Sequence, residues 1–436
     1  MPDWSKRVVW WQVYPLGFLG IEPPIPGESR RRLDDIVGWL DYACELGASG
    51  LALGPIFASS THGYDTVDHF RIDDRLGGEE HFDALVAAVH ARGMRLLLDG
   101  VFNHVGRHFP AFERTLAAGP SAPESSWFVP LEGGVCGPAF KTFEGHEGLI
   151  ALNHDEPEVA RYVIDVMRHW LARGADGWRL DAAYTVPSRF WRQVLPAVRT
   201  SYPDAYFVGE VIHGDYRRIV EGGGMDACTQ YELWKATWSC LNDRNFFELA
   251  WALRRHNEFL HEFLPMTFVG NHDVTRLASR LNDERHIGHA LAILLTAGGT
   301  PSVYYGDEQA FRGVKEARAG GDDAVRPAFP AEGPNGLEPY GWPVYRLHQQ
   351  LIGVRRQHPW LPAASNRTLH LSNTALIYEA TAGPHRLVTA LNTADHGIAM
   401  PVPRATTVVA GAADLECPAT AETRLSLPPH GWAIVA

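Results

Sequence analysis

Short apolar runs alternating with stretches of helical spacing limit the folds open to this chain more than any other feature. Eight such runs occur: Val8–Pro15, Gly50–Phe57, Met94–Val101, Gly177–Ala183, Tyr206–Val211, Met225–Leu233, Met266–Asp273 and Pro301–Glu308. Several are nearly continuous in hydrophobicity, as in Met94-Arg-Leu-Leu-Leu-Asp99, which is what a strand buried on both faces requires. Between them, Arg32–Leu46, Glu79–Arg92, Pro157–Arg173, Ser188–Thr200 and Ile287–Thr296 space their apolar residues for helices. Glu156-Pro157-Glu158 opens one of these with proline in the first turn and acidic groups facing the helix dipole. Strand and helix in repeated alternation predict an α/β chain, a (β/α)8 TIM barrel.

The barrel is predicted in two parts, residues 1–104 and 151–360, separated after the third strand by a short inserted loop domain, 105–150, rich in Gly, Pro and Ser. From about Leu361 helical spacing gives way to short alternating runs such as Thr374-Ala-Leu-Ile-Tyr-Glu-Ala380 and Trp432-Ala-Ile-Val435. These predict a C-terminal antiparallel β domain over 361–436.

Acidic residues outnumber basic ones by 51 to 39, a formal charge of −12 that repels nucleic acid and anionic membrane, so an uncharged partner fits better. No apolar stretch is long enough for a membrane span, and Met1–Trp10 carries no export signal. Five cysteines (Cys44, Cys136, Cys228, Cys240, Cys417) are odd in number and lack CxxC spacing, as expected of reduced thiols in a cytoplasmic protein.

Ionisable residues gather at the ends of the apolar runs: Asp99-Gly-Val-Phe-Asn103-His104, Arg179-Leu-Asp181, Gly209-Glu210 and Gly270-Asn271-His272-Asp273. In a barrel these ends share one mouth, where chemistry sits. Breaking a glycosidic bond with retention needs one carboxylate to attack the anomeric carbon and a second carboxyl group, about 5–5.5 Å away, to protonate the departing oxygen. Adjacent strands four and five can supply that pair. Arg179, two residues before Asp181, lies on the same strand face and can hold it ionised. Taken singly, each residue is equally well a helix cap or a satisfied structural group. Their joint order is what carries the argument.

These segments resemble, in sequence and order, the four conserved regions of the α-amylase family of glycoside hydrolases, and the resemblance covers nearly the whole chain: Asp99–His104, Gly177-Trp-Arg-Leu-Asp-Ala-Ala183, Val208-Gly-Glu-Val211 and Phe268-Val-Gly-Asn-His-Asp273. It implies Asp181 as nucleophile, Glu210 as general acid/base and Asp273 as a third carboxylate that binds and distorts the sugar. His104, Arg179 and His272 would complete the sugar site. In Thr61-His-Gly-Tyr-Asp65, Tyr64 and Asp65 take the family's stacking tyrosine and sugar-holding aspartate. Asp99 is expected to be structural, and so is Gly299–Glu308, similar to the family's eighth strand. Asp323 and Arg326 are expected to form a surface ion pair, although a late Asp and Arg pair meets a second sugar ring in some relatives.

Two departures shape the expectation. Tyr184 and Thr185 replace the Lys-His that follows the nucleophile in many family amylases, which argues against typical endo-amylase specificity. Ala151-Leu-Asn153 lacks the aspartate that commonly binds calcium in relatives, so no metal or other cofactor is expected. Gly209-Glu-Val-Ile-His213 is similar to enzymes acting on cyclodextrins and short maltooligosaccharides, which places His213 either at a leaving-group sugar or simply on the surface. The implied activity is hydrolysis of α-1,4-glucosidic bonds in maltooligosaccharides or related glucans. Transfer or isomerisation through the same intermediate stays open, as does a barrel that only binds carbohydrate.

Overall fold

A computed structural model describes residues 1–22, 31–131, 139–318, 320–403, 405–416 and 422–436. Eight parallel strands, β1 (Trp10–Val13), β2 (Gly50–Leu53), β3 (Arg95–Gly100), β4 (Gly177–Leu180), β5 (Tyr206–Gly209), β6 (Ala227–Cys228), β7 (Met266–Phe268) and β8 (Thr300–Tyr304), form one sheet ordered β6-β5-β4-β3-β2-β1-β8-β7. A parallel bridge between Thr229 and Met266 joins the two ends of that order and closes the barrel.

Large side chains plug the ring from inside. Trp10 and Tyr206 stack with centroids 6.1 Å apart, and Trp4 meets both edge-on. Gly50 faces this plug from β2, and a Cβ there would lie 2.5 Å from the Trp10 ring. Its neighbour's bulk, not a turn, therefore demands glycine.

The surrounding helices are α1 (Leu40–Leu46), α2 (Glu79–Ala91), α3 (Pro157–Ala172), α4 (Ser188–Ser201), α5 (Tyr216–Gly223), α6 (Tyr231–Asp243), α7 (Phe247–Leu260), α8 (Ile287–Thr296) and α9 (Trp342–Gln357). The Glu156 carboxylate accepts the Glu158 amide to cap α3, whose buried Val159, Val163, Val166, Met167 and Trp170 form its inner stripe.

Two predicted elements differ. Arg32–Leu46 starts as a 3-10 helix, Leu33–Trp39, before α1; the Arg32 amide bonds the Asp35 carboxylate at 2.6 Å, and Gly38 weakens an α-helix there. Met225–Leu233 is not one strand. The strand is Ala227–Cys228, with Thr229 adding only the closing bridge, because the Gln230 side chain accepts the Glu232 and Leu233 amides and starts α6. One apolar run thus serves a strand end and a helix beginning.

The excursion after β3 carries more structure than its Gly, Pro and Ser content suggests. It contains a helix, Pro110–Ala118, and an antiparallel sheet of His104–Gly106, His146–Ala151 and Thr142–Phe143. Phe112 meets Phe128 at 5.0 Å and Phe140 at 5.2 Å, giving the segment its own aromatic core.

From Ser365 onward the chain is antiparallel β. Strands β9 (Ser365–Leu371), β10 (Ala375–Ala382), β11 (His385–Asn392), β12 (Ile398–Pro403), β13 (Val408–Gly411), β14 (Asp414–Glu416), β15 (Glu422–Leu427) and β16 (Trp432–Val435) form sheets ordered β9-β10-β11-β16-β13 and β12-β15-β14. Ile377, Val388, Leu425 and Val435 pack between them. The first sheet rests on α8, where Thr296 Oγ1 meets the Tyr378 hydroxyl at 2.7 Å.

Cys44, Cys228 and Cys240 are free thiols, while Cys136 and Cys417 lie outside the described residues. Among the described residues no helix is long and apolar enough to cross a membrane.

Candidate active site

At the C-terminal mouth of the barrel lies a cavity of about 890 Å³ that Asp181, Glu210 and Asp273 all reach, from the ends of β4, β5 and β7. Arg179 joins the first two. Its Nη1 bonds both oxygens of Asp99 at 2.7 and 2.6 Å and reaches Asp181 at 3.3 Å, while Nη2 lies 2.5 Å from Glu210 Oε1. The arginine therefore grips Asp99 and Glu210 more closely than Asp181, the partner its spacing suggested.

The chain turns sharply just after Asp181. Ala182 has a φ of 45°, unusual for a residue with a side chain, and the turn aims its N–H at Glu210 Oε2, 3.0 Å away. Thr185 secures the turn by donating its hydroxyl to the Ala182 carbonyl at 2.7 Å. The Tyr231 hydroxyl, following β6, approaches Glu210 Oε1 at 3.4 Å and accepts the Asn271 amide at 2.9 Å.

Charge balance is the main constraint here. The largely buried Asp99, Asp181 and Glu210 share one guanidinium, so the cluster is short of positive charge. Burial first, then the Glu210 charge, raises the Asp181 carboxyl well above its ordinary value. Burial likewise raises Asp99 against the pull of Arg179.

Asp273 behaves in the opposite way. Burial alone would raise it, but His272 at 3.0 Å and Arg326 at 3.0 Å outweigh that and hold its carboxyl well below the usual range. His272 lies between the Tyr14 and Tyr64 rings, parallel to both, at 6.0 and 5.6 Å. Its Nδ1 meets Gln12 at 3.2 Å, and its Nε2 meets the Tyr64 hydroxyl. The same hydroxyl donates to Asp99 at 3.2 Å. His104 stacks on Phe143 at 4.8 Å, and burial pushes its imidazole down to about 3, so it is neutral.

The structure thus brings Asp181, Glu210, Asp273, Arg179, His272, Tyr64 and His104 together. Asp65 stands slightly apart, since both its oxygens accept bonds from Thr61, amide and hydroxyl, at 3.1 and 2.7 Å. His213 is exposed, with its ring edge-on to Tyr184 at 4.8 Å. The expected surface pair of Asp323 and Arg326 is corrected: Arg326 is buried, bonds Asp273 and Asp322 at 3.0 Å each, and lies 4.5 Å over the Tyr14 ring. The 3-10 turn at Asp323–Val325 leaves Asp323 facing solvent and carries Arg326 inward.

Sequence reading missed Gln12, Tyr14 and Tyr231. Each lies in or just beyond the C-terminal end of a barrel strand, the same signal that picked out the carboxylates, but as neutral residues in apolar runs they look like core. The Tyr184 hydroxyl also donates to Glu144 at 2.8 Å, linking the loop after β4 to the excursion across the cavity.

Among the described residues, three potential metal ligands come together only at Asp283, His286 and His430, a group that includes none of these carboxylates. Where relatives have the calcium-binding aspartate the chain has Ala151, and the Asn103 amide nitrogen is engaged with His104 at 3.0 Å.

The family profile for the alpha amylase catalytic domain matches residues 12–373. The cyclomaltodextrinase of Geobacillus thermopakistaniensis is 31% identical over all of this chain and 78% of its own length. The intracellular maltogenic amylase of Bacillus subtilis is 32% identical over 72% of this chain, which spans only 57% of that protein. The acarbose-soaked crystal structure of the Nostoc punctiforme debranching enzyme superposes with a TM-score of 0.83 at 28% identity, covering 100% of this chain and 99% of that one.

Proposed function

For a chain that belongs to the alpha-amylase family, as this one does, we propose retaining hydrolysis of α-1,4-glucosidic bonds in maltooligosaccharides and related small glucans. The observation that carries this reading is the convergence of Asp181, Glu210 and Asp273 on one cavity, with a single arginine touching the first two.

In the first step an Asp181 oxygen attacks the anomeric carbon while Glu210 passes its proton to the departing glycosidic oxygen, leaving a glucosyl ester on Asp181 and a free leaving chain. In the second step Glu210 takes a proton from water, whose oxygen attacks the same carbon and frees Asp181. The reaction needs a proton on Glu210 and the negative charge on Asp181 when attack begins. Positive charge developing at the anomeric carbon favours that arrangement, because it stabilises Asp181 as the anion.

Asp273, held ionised by His272 and Arg326, is placed to accept the sugar's hydroxyls, and the Tyr64 face supports the ring. Asp65 acts by shaping the Tyr64 loop. The donor set around Asn103 and Ala151 argues against a calcium requirement, so dialysis against EDTA should leave activity and melting temperature unchanged. The cytoplasm fits the unpaired thiols and the intracellular relative.

The test is chromatography of products from maltotetraose, trehalose and sucrose, with wild type and Asp181→Asn. The wild type should shorten maltotetraose and the variant should not. Products longer than the substrate would identify transfer to a sugar hydroxyl in place of water, and a wild type inactive on all three would overturn the reading.

A further inference from the structure

Asp283, His286 and His430 meet where the barrel joins the C-terminal sheets. Asp283 and His286 belong to the turn that opens α8, where the His286 amide bonds the Asp283 carbonyl at 3.0 Å and draws the two residues together. His430 comes from the turn between β15 and β16, 144 residues after His286. His286 Nε2 and His430 Nδ1 face each other at 3.0 Å, and Asp283 Oδ2 lies 4.0 Å from the first and 3.8 Å from the second. Both imidazoles are buried, while the Asp283 side chain is partly open to solvent and leaves a way in.

The far side of His430 is also arranged. Its Nε2 lies 2.9 Å from Asp395 Oδ1, and an ionised carboxylate only accepts, so the His430 proton sits on Nε2 and the Nδ1 lone pair faces His286. A histidine that ligates a metal through one nitrogen usually donates the other to a carboxylate in this way. His430 pays for its position with a φ of 50°, a left-handed backbone that is uncommon for a residue with a side chain.

Two imidazole nitrogens and a carboxylate oxygen suit zinc and its transition-metal neighbours, whereas calcium and magnesium favour oxygen ligands. Tetrahedral ligands about 2.0–2.1 Å from zinc stand roughly 3.3 Å apart, so each edge of this triangle changes by less than about 1 Å on binding. Arg285 bonds Asp283 Oδ2 at 2.6 Å and Arg244 bonds Asp395 at 3.0 Å, which tempers the attraction for a dication. Both guanidiniums are exposed and free to turn away. These partners already hold the triangle together, so an ion adds to a formed site and folding does not depend on it.

We propose that Asp283, His286 and His430 bind a divalent transition-metal ion, zinc foremost, which pins the C-terminal β domain to the start of α8.

The experiment titrates EDTA-dialysed protein, freed of EDTA, with zinc chloride in a calorimeter and then follows its melting temperature. The wild type should bind one zinc per chain, and zinc at a hundredfold excess over Kd should raise the melting temperature by about 3 °C. Magnesium should do neither. His430→Asn suits a left-handed backbone and Asp283→Asn keeps an oxygen for the Arg285 amide, and each should weaken zinc binding at least tenfold. If His430→Asn does not fold, Asp283→Asn decides the question. Asp181→Asn should bind zinc as the wild type does, and a loss there would assign the ion to the catalytic cavity and overturn the site. No saturable binding, binding unchanged in Asp283→Asn, or an equal response to magnesium would also overturn it.

Discussion

Replacing Arg179 with glutamine tests the charge balance at the base of the site. The side chain is buried and bonds three carboxylates, so its loss leaves Asp99, Asp181 and Glu210 packed together without a cation. Breaking a buried ion pair by removing one partner costs about 3–5 kcal/mol. An unfolding entropy of about 2.1 cal/mol/K per residue, taken over 436 residues, gives about 0.9 kcal/mol/K, so the melting temperature should fall by roughly 3–5 °C. The penalty should also depend on pH in a defined direction. Asp99 and Asp181 already have raised carboxyl pKa values in the folded protein, and without Arg179 they rise further. An acid whose pKa is raised by folding adds stability while it is protonated and loses that contribution as pH climbs from the unfolded value, about 3.9, through the folded one. The gap between wild type and Arg179→Gln should therefore be small near pH 4.5 and full at pH 8, as read by differential scanning calorimetry. A gap that is constant with pH, or largest in acid, would refute the reasoning.

Burial pushes Glu308, which accepts the Tyr42 hydroxyl at 2.9 Å, up to about 7. By the same sign its stabilising contribution is lost between pH 5 and 8, and Glu308→Gln should flatten the fall in melting temperature over that range; parallel curves would exclude it. Arg326→Ala frees Asp273 from its arginine and should lower kcat/KM about 10–100-fold, with Arg326→Lys partly restoring it, in steady-state assays on maltotetraose. Tyr184→Phe removes one hydrogen bond across the cavity and should raise activity on soluble starch relative to maltotetraose about 2–5-fold, and an unchanged ratio would refute a role in access.

The barrel was legible because strands buried on both faces leave apolar runs with little ambiguity, and the carboxylates stood out because charge at a strand end has few packing explanations. Where the sequence misled, one residue was serving two elements or two charges. Gln230 ends β6 and caps α6, so the apolar pattern ran through a boundary it did not mark. Arg179 lies two residues from Asp181, yet its shortest contacts are to Asp99, 80 residues earlier, and Glu210, and only the closed ring brings these together. Arg326 and Asp273 were invisible as a pair for the same reason. Their 53-residue separation carries no periodic signal.

All eight strands, or the loops just after them, contribute to the carboxylate cavity or to the side chains that back it: Gln12 from β1, the Tyr64 loop after β2, Asp99, Arg179, Glu210, Tyr231 after β6, Asp273, and Tyr304 of β8, whose ring lies 6.5 Å from His272. No half of the chain holds a partial version of the site that selection could refine or a protease could release. Bringing these side chains together needs the closed circle that the Thr229–Met266 bridge between β6 and β7 completes, so turnover should double as a readout of barrel closure.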